Sequence, residues 1–466
     1  MDNRVKNIVV LRLNLAIWQV NVMWMKSEDS RKIAWALTLE ILLAGAYVSL
    51  TRGLFIIYLT SIGYSVDSIS FVTLSSALSS IIFGILIYKR PNFIIRRIKA
   101  KLITFHALER LTWMIIPLTQ NLFTILSLYS IQLVSSFLIN TFISYIIYGS
   151  LTEDLIRDVT AKRSAANGVS SIMGFLAGTA LLAFLPPESK FKYIFIMGSL
   201  IGLVSTLIVA TLNVSHLEGK MFPEAVEEPE RIFSSSIFSI VFFSSGNILG
   251  IVWAPYVIRY LGGADYIASL MSLAGTMSNS VASLFWRRRS FKSLHFGLIA
   301  NALGPILILV TPWPVAHVGI NIYTSFTYTG ASFITAFLFA RYNRWFGAIK
   351  SGILLVLFNS CAQLVASITG LLIKENFIIL FLAALSAKLA ASLLASLTIP
   401  ETALIPENLA RTYSQILYNS SLMGYQMGVE LSKETIMMAL RFLALLLTVI
   451  ILYMIYYILW ILINLG

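Results

Sequence analysis

The chain has 466 residues, of which 58% are hydrophobic and 12% are charged. A soluble domain carries about a quarter charged residues, so this composition cannot cover a water-facing surface. It excludes a soluble multidomain enzyme and a disordered chain. It indicates an all-α polytopic membrane protein, because helices satisfy their backbone hydrogen bonds inside a bilayer. The net charge of +13 favours basic cytoplasmic loops over a nucleic-acid partner.

Apolar runs of span length recur along the chain, twelve before residue 400 and a thirteenth near the C-terminus. Their approximate limits are 34–59, 68–88, 102–118, 122–148, 165–185, 193–212, 234–258, 264–286, 294–311, 318–340, 348–372, 376–399 and 437–463. The polar segments between them predict six parts: a cytoplasmic or interfacial tail at 1–33, an N-terminal six-helix half at 34–212, a cytoplasmic linker at 213–233, a C-terminal six-helix half at 234–399, an interfacial cytoplasmic segment at 400–435, and an extra transmembrane helix at 436–466.

Basic residues are concentrated in alternate loops. The N-terminal tail and the loops on its side of the membrane hold 26 Lys and Arg residues, whereas the opposite loops hold four. Because basic loops stay in the cytoplasm, we expect a multi-pass protein of the cell membrane with a cytoplasmic N-terminus. Both Met1 and Met25 are plausible first residues.

An internal repeat divides the chain into two similar parts. Residues 58–90 match residues 256–288 without gaps, and Asp67 aligns with Asp265. Each copy runs from an external loop with an aspartate, through a serine-rich span, into a basic cytoplasmic turn. The repeat predicts two six-helix halves of parallel topology.

The basic turns after spans two and eight resemble a loop motif of the major facilitator superfamily. The matching residues are Gly84, Lys89 and Arg90 in the first copy, and Arg287 and Arg288 in the second. Tyr88 replaces the family's aspartate, so that residue's role in a charge relay does not carry over. The resemblance covers residues 34–399 and implies two six-helix halves that transport a solute by alternating access. The extra C-terminal helix departs from the family's pattern.

Two ionisable residues lie within the first span, where a charged group needs a function or a partner. Glu40 is a candidate proton site, or an interfacial acid near Lys32 or Arg31. Arg52 is a candidate ligand for a carboxylate or phosphate, because guanidinium offers two parallel donors. Alternatively, the Arg52 side chain binds no ligand and extends to the membrane surface.

Other polar residues in the spans have more than one interpretation. His106, Glu109 and Arg110 share one face of span three, and the resemblance places that span at the periphery, so we expect Glu109 and Arg110 to form a structural ion pair. Lys388 is likewise expected to be structural. The resemblance implies that spans four, seven and ten line the central cavity, and their candidate substrate ligands are Gln132, Asn140, Asn247, Tyr323 and Tyr328. Contacts between helices are the alternative for each.

The sequence predicts a secondary active transporter of a small molecule across the cytoplasmic membrane, with protons as a candidate coupling ion. A lipid or polysaccharide flippase and an integral-membrane protein without transport activity are the alternatives. We expect no enzymatic activity, catalytic residue, cofactor or metal site, and a monomer in the lipid bilayer without a nucleic-acid partner. The single cysteine, Cys361, excludes an internal disulfide. Gly174 and Gly178 form a GxxxG pattern, which predicts close helix packing.

Overall fold

The computed structural model describes residues 30–90, 92–151, 153–219, 232–287 and 289–398, and all regular structure within these ranges is helical. Twelve long helices follow one another: α1 (Ser30–Ser61), α2 (Val66–Lys89), α3 (Ile98–Ile115), α4 (Leu122–Ser150), α5 (Glu153–Phe184), α6 (Lys190–Ala210), α7 (Ile232–Pro255), α8 (Asp265–Trp286), α9 (Phe291–Ala302 with Gly304–Val310), α10 and α11 (together Ala316–Ile373, divided at Gly347) and α12 (Phe377–Thr398). Nine helices in the described ranges are long and apolar enough to cross a membrane. The predicted all-helical, multi-pass fold is confirmed.

Several predicted segments lie outside the described residues. They are most of the tail at 1–33, much of the linker at 213–233, the interfacial segment at 400–435 and the extra helix at 436–466. The described helices end at Thr398. The six-part division of the chain therefore stays a prediction.

Local sequence explains where several helices begin and end. The side chain of Asn121 accepts a hydrogen bond from the amide of Thr124 at 3.0 Å, which caps α4. Gly347 separates α10 from α11 with a φ of 74°, a left-handed conformation that glycine adopts readily. Helix α5 begins at Glu153, well before the apolar run at 165–185, so its first turns are polar.

The two halves meet along two helix pairs, α2 with α11 and α5 with α8. Small hydroxyl side chains bridge these pairs at short distances: Thr73 to Ser367 at 2.8 Å, Ser80 to Ser360 at 2.9 Å, and Thr179 to Ser269 at 2.8 Å. Small polar residues let helices approach closely inside a membrane while satisfying their own hydrogen bonds. The repeat is visible in these helices, because α2 and α8 start and end within one residue of each other at an offset of 198.

The ends of the bundle differ in how the halves pack. We name the end where α1 begins the basic end, since it carries the Lys- and Arg-rich turns, and the other the opposite end. A buried apolar cluster near the opposite end contains side chains of both halves, including Tyr58, Trp113, Trp253 and Tyr256. At the basic end the described residues form two clusters, one formed mainly by each half. Four residues of α11 belong to or pack against the first-half cluster: Ile349, Ile353, Val356 and Leu357.

Polar contacts also hold the halves together at the opposite end. Lys190 at the start of α6 forms an ion pair with Asp265 at the start of α8, and Ser61 donates a hydrogen bond to Asp265 at 3.4 Å. The guanidinium of Arg259 donates to the carbonyl of Tyr64 at 3.1 Å and pairs with Glu375 at 2.5 Å. The structure is therefore closed at the opposite end.

We predict that Gly174→Ala destabilises the protein. A Cβ at position 174 would lie 2.7 Å from the carbonyl oxygen of Ala46 and 2.9 Å from its Cα, both backbone atoms that cannot move aside. Forcing α1 and α5 apart should lower the free energy of unfolding by about 1–3 kcal/mol. Thermal unfolding in detergent checks this.

Gly168→Ala is the matched control on the same helix, because the nearest atom to its new Cβ is a serine hydroxyl at 3.6 Å. Alanine is the better helix former by about 1 kcal/mol. Equal melting temperatures for the two variants would contradict the prediction.

Candidate transport site

Five ionisable side chains meet inside the first half near the basic end. This buried charge cluster consists of Glu40 from α1, His106, Glu109 and Arg110 from α3, and Arg163 from α5. Four of them are buried, and the side chain of Arg163 is 13% exposed. Buried charges persist in a protein when they are paired and hydrogen-bonded. The contacts of this cluster therefore determine how the three helices sit together.

Glu40 is held from two directions. Its Oε2 accepts a hydrogen bond from Nη1 of Arg163 at 3.0 Å, and its Oε1 lies 3.5 Å from Nε2 of His106. Arg163 also donates to the carbonyl of Leu37, one turn before Glu40. One guanidinium thus fastens the polar first part of α5 to both the backbone and a side chain of α1.

The α3 members of the cluster bind each other and the neighbouring helices. Nη1 of Arg110 pairs with Oε2 of Glu109, and Nη2 of Arg110 lies 3.1 Å from Nε2 of His106. Gln132 of α4 donates to Oε1 of Glu109 at 3.1 Å, and Thr206 of α6 lies 2.9 Å from Nδ1 of His106. The cluster therefore connects α3 to α1, α4 and α6.

Arg52 has a different environment from Glu40, although both lie on α1. It begins a 3₁₀ turn, is exposed, and has no hydrogen bond or ion pair with any described residue. Its neighbour Gly53 packs against the ring of Phe175 in α5, and Phe55 stacks on Tyr129 of α4 at 4.4 Å between ring centroids. Arg52 therefore belongs to the stretch of α1 that contacts both α4 and α5.

Open space borders the repeat-related position in the second half. Gly250 of α7 lies 198 residues after Arg52, is exposed, and has no atom within 4 Å of where a Cβ would stand. On α4, Asn140 is exposed and lies on the same face as Tyr129, since eleven residues make about three turns. We name these three exposed positions on α1, α4 and α7 the central face: Arg52, Asn140 and Gly250.

The other sequence candidates lie in several environments. Asn247 of α7 has a buried Nδ2 with no partner among the described residues, and the ring of Tyr328 in α10 stacks on Phe242 at 4.8 Å. Tyr323 donates to the carbonyl of Ala300 at 2.6 Å, so its hydroxyl is used within its own half. Among the loop-motif residues, Gly84 packs against Leu357 of α11 and Lys89, Arg90 and Arg287 are exposed, whereas Arg288 lies outside the described residues.

The second half contains one buried lysine. Lys388 of α12 is 1% exposed and donates to Oδ1 of Asn301 in α9, and no described carboxylate pairs with it. The amide of Asn301 in turn donates to Thr327 Oγ1 at 2.9 Å and to the carbonyl of Thr324 at 2.8 Å in α10. One asparagine therefore connects α9, α10 and α12.

Sequence reasoning missed two members of these networks. Arg163 lies between the apolar runs at 122–148 and 165–185, where the sequence predicts a basic loop, and its place inside a helix that begins at Glu153 is what brings it to Glu40. Asn301 stands alone in an apolar run, and neither spacing nor charge links it to a lysine 87 residues away. In the described ranges no group of three or more His, Cys, Asp or Glu side chains could hold a metal ion.

We predict that Asn301→Leu destabilises the second half, because it leaves the Lys388 ammonium buried without its acceptor. A buried charged group that loses its partner costs about 1–3 kcal/mol or more. The measurement is thermal unfolding in detergent. Lys388→Met should be neutral or stabilising, and the double variant should recover most of the lost stability. Equal losses in the two single variants would contradict this account.

Comparison with solved structures identifies the arrangement of the helices. The chain is similar to the nucleoside transporter NupG (TM-score 0.59, 14% identity, covering 81% of this chain and 100% of that one). It is also similar to an inward-facing bacterial homologue of the iron transporter ferroportin (0.62, 14%, 78% and 97%) and to an inward-facing, occupied bacterial homologue of the human lysosomal transporter Spinster (0.57, 12%, 82% and 98%). No protein-family model and no curated protein matches the sequence. The helices described above have the major-facilitator fold.

Proposed function

We propose that this protein is a secondary transporter that moves a small anionic solute across the cell membrane by alternating access. The observation that carries the proposal is Arg52, an exposed guanidinium without a partner among the described residues, on the stretch of α1 that contacts α4 and α5. A positive charge within a membrane-spanning helix is costly, so it is retained where it faces water or a ligand. A carboxylate or phosphate would accept two parallel hydrogen bonds from it.

The substrates named for the similar proteins support transport and differ from the chemistry of this site. Iron is a cation, and an unpaired guanidinium at the central face would repel it. A nucleoside is neutral and would leave the charge of Arg52 unmatched. The proposed substrate therefore carries a negative group for Arg52 and uncharged polar groups for Asn140 and Asn247.

The packing at the two ends supports a mechanism in which the halves rock against each other. The shared apolar cluster and the ion pair of Lys190 with Asp265 close the opposite end, while at the basic end α11 is the helix of the second half that packs into the first-half cluster. In the proposed orientation the basic end and the N-terminus are cytoplasmic, and this conformation binds solute from that side. Transport requires these contacts to break and the basic end to close. The proposed unit is a monomer, and the cycle includes no covalent step.

Arg52→Gln should abolish or strongly weaken anion transport. Hydrogen bonds to charged groups contribute about 1.5–3 kcal/mol, so the apparent affinity should fall about tenfold to a hundredfold. Uptake by proteoliposomes of a panel of labelled carboxylates, phosphate esters, nucleosides and sugars measures both the substrate class and the effect of the substitution.

Lys192→Gln is the matched control, since it removes one exposed positive charge at the opposite end. Arg52→Lys should keep part of the activity, because the charge stays and the second donor is lost. Transport of neutral solutes alone, or an unchanged affinity in Arg52→Gln, would overturn the anionic substrate. If no solute in the panel is taken up and a lipid-linked sugar is translocated, the protein is a flippase and the proposed transport of a small molecule is wrong.

A disulfide across the opposite end should stop the cycle reversibly. Ser61 Oγ and Asp265 Oδ2 are 3.4 Å apart in the closed arrangement, so cysteines at both positions should cross-link when oxidised. In a Cys361→Ser background, oxidised Ser61→Cys/Asp265→Cys protein should lose transport and regain it on reduction. The single variant Asp265→Cys controls for loss of the Lys190 ion pair, and the single variant Ser61→Cys controls for loss of the Ser61 hydroxyl. Full transport by the oxidised, cross-linked protein would contradict alternating access at this end.

A further inference from the structure

We infer that His106 is a proton-binding site, and that a proton bound there displaces Arg163 from Glu40 and releases the basic end of α5 from α1. The inference rests on the proposed transport function, because it gives the moving helices a coupled ion. The ion pair of Glu40 with Arg163 and the contact of Glu40 with His106 use the two oxygens of one carboxylate.

The hydrogen bonds assign a neutral imidazole to His106 in this conformation. A guanidinium can donate hydrogen bonds and cannot accept them, so Nη2 of Arg110, at 3.1 Å, requires an unprotonated Nε2. The ring proton then lies on Nδ1 and is donated to Thr206 Oγ1 at 2.9 Å, while the hydroxyl of Thr206 donates to the carbonyl of Gly202 at 3.3 Å. The Nδ1 proton of His106 and the hydroxyl proton of Thr206 therefore each have an acceptor.

The other neighbour of Nε2 shows where a proton would bind. Oε1 of Glu40 lies 3.5 Å from Nε2, and both atoms are acceptors in the neutral state. A proton taken from water by the Nε2 lone pair would convert this contact into a charged N–H donor facing a carboxylate. Arg110 would lose its acceptor on the ring and keep its ion pair with Glu109.

The charge of the cluster shows which group must then leave. Two carboxylates balance two guanidiniums while His106 is neutral, so a bound proton leaves one positive charge in excess. An uncompensated buried charge is strongly unfavourable. Arg163 is the most exposed member of the cluster, so water can replace its contacts with Glu40 and with the carbonyl of Leu37 when its guanidinium moves out.

A route to water lies beside Arg163. A cavity of 240 Å³ at the basic end is lined by residues of α1 and α5, including Thr38 and Lys162, which adjoin Leu37 and Arg163 in the chain. When Arg163 moves away, protons from the basic end can reach Glu40 and His106 through the space that its side chain vacates. Because α5 packs along α8, release of α5 from α1 changes how the two halves can move.

The charged and titratable groups around His106 come from three helices. They are Glu40 and Tyr47 from α1, Glu109 and Arg110 from α3, and Arg163 from α5. Helix α6 contributes the hydroxyl of Thr206, and α4 contributes the amide of Gln132. Glu40 is the member that changes partner.

The first test follows the imidazole itself. The chain has four histidines, so His216→Gln/His295→Gln/His317→Gln protein in lipid nanodiscs carries His106 as its one ¹⁵N-histidine signal and leaves the cluster intact. We expect the Nδ1–H tautomer at pH 9 and conversion to imidazolium as the pH is lowered to 5. A neutral His106 throughout this range, or the Nε2–H tautomer at pH 9, would overturn the inference.

The second test follows the helix that the proton releases. Hydrogen–deuterium exchange of residues 153–165, corrected for the intrinsic effect of pH, should rise about tenfold from pH 8 to pH 5.5 in the unsubstituted protein. His106→Gln should abolish this rise, and Arg163→Gln should show fast exchange at both pH values. Glu40→Gln is a second variant, in which Arg163 loses its ion pair and keeps the carbonyl of Leu37, so its exchange should be faster than in the unsubstituted protein at pH 8 and insensitive to pH. A rise of the same size in His106→Gln would overturn the inference.

These two measurements need no substrate, so they separate this inference from the proposed transport of an anion. If Arg52→Gln leaves transport unchanged while His106 titrates and α5 is released, the anionic substrate is wrong and the proton site stands. If anion transport depends on Arg52 while His106 never binds a proton, the proton site is wrong and the transporter stands.

Discussion

The buried carboxylate of Glu40 is the constraint on which the first half depends. A carboxylate among apolar helices requires a positive or donating partner, and here the partners come from two other helices at once. Arg163 must reach α1 from a helix that therefore extends well past its apolar run, and His106 must face α1 from a helix whose other contacts are Glu109, Arg110 and Gln132. The positions of α1, α3 and α5 relative to each other follow from satisfying one acid.

The second half uses the same layout with different chemistry. In each half a polar side chain on the third helix binds the sixth helix and the fourth: His106 and Glu109 do so in α3, and Asn301 alone does so in α9. The first-half network balances its charges, whereas Lys388 has a neutral acceptor among the described residues. The two halves therefore connect the same helices through different residues. Only the described network of the first half contains several charged partners, so an exchange of one charged partner for another is possible there.

The bilayer makes the helices of such a chain easy to predict and its polar contacts hard to predict. Apolar runs and alternating basic loops identified twelve helices because membrane thickness sets one length for all of them. Polar residues inside the spans carry no such period. Gln132 and Asn140 are both mid-span amides of α4, yet Gln132 binds Glu109 and Asn140 is exposed. The face of α4 that contacts α3 depends on packing between the helices, and the hydropathy of α4 does not predict that packing.

Helix α1 carries two charged residues at different depths, and it contacts α5 between them. Arg52 and Glu40 are twelve residues apart, about 18 Å along the helix, so they cannot share a ligand. Close packing at Gly174 joins α1 to α5 between them, and Arg163 adds a second, breakable tie at the basic end. An anion on Arg52 and a proton on His106 would therefore act on the same pair of helices from different depths. A pair of helices with one permanent contact and one exchangeable contact can tilt without separating, so release of Arg163 would adjust the first half while the two halves rock against each other.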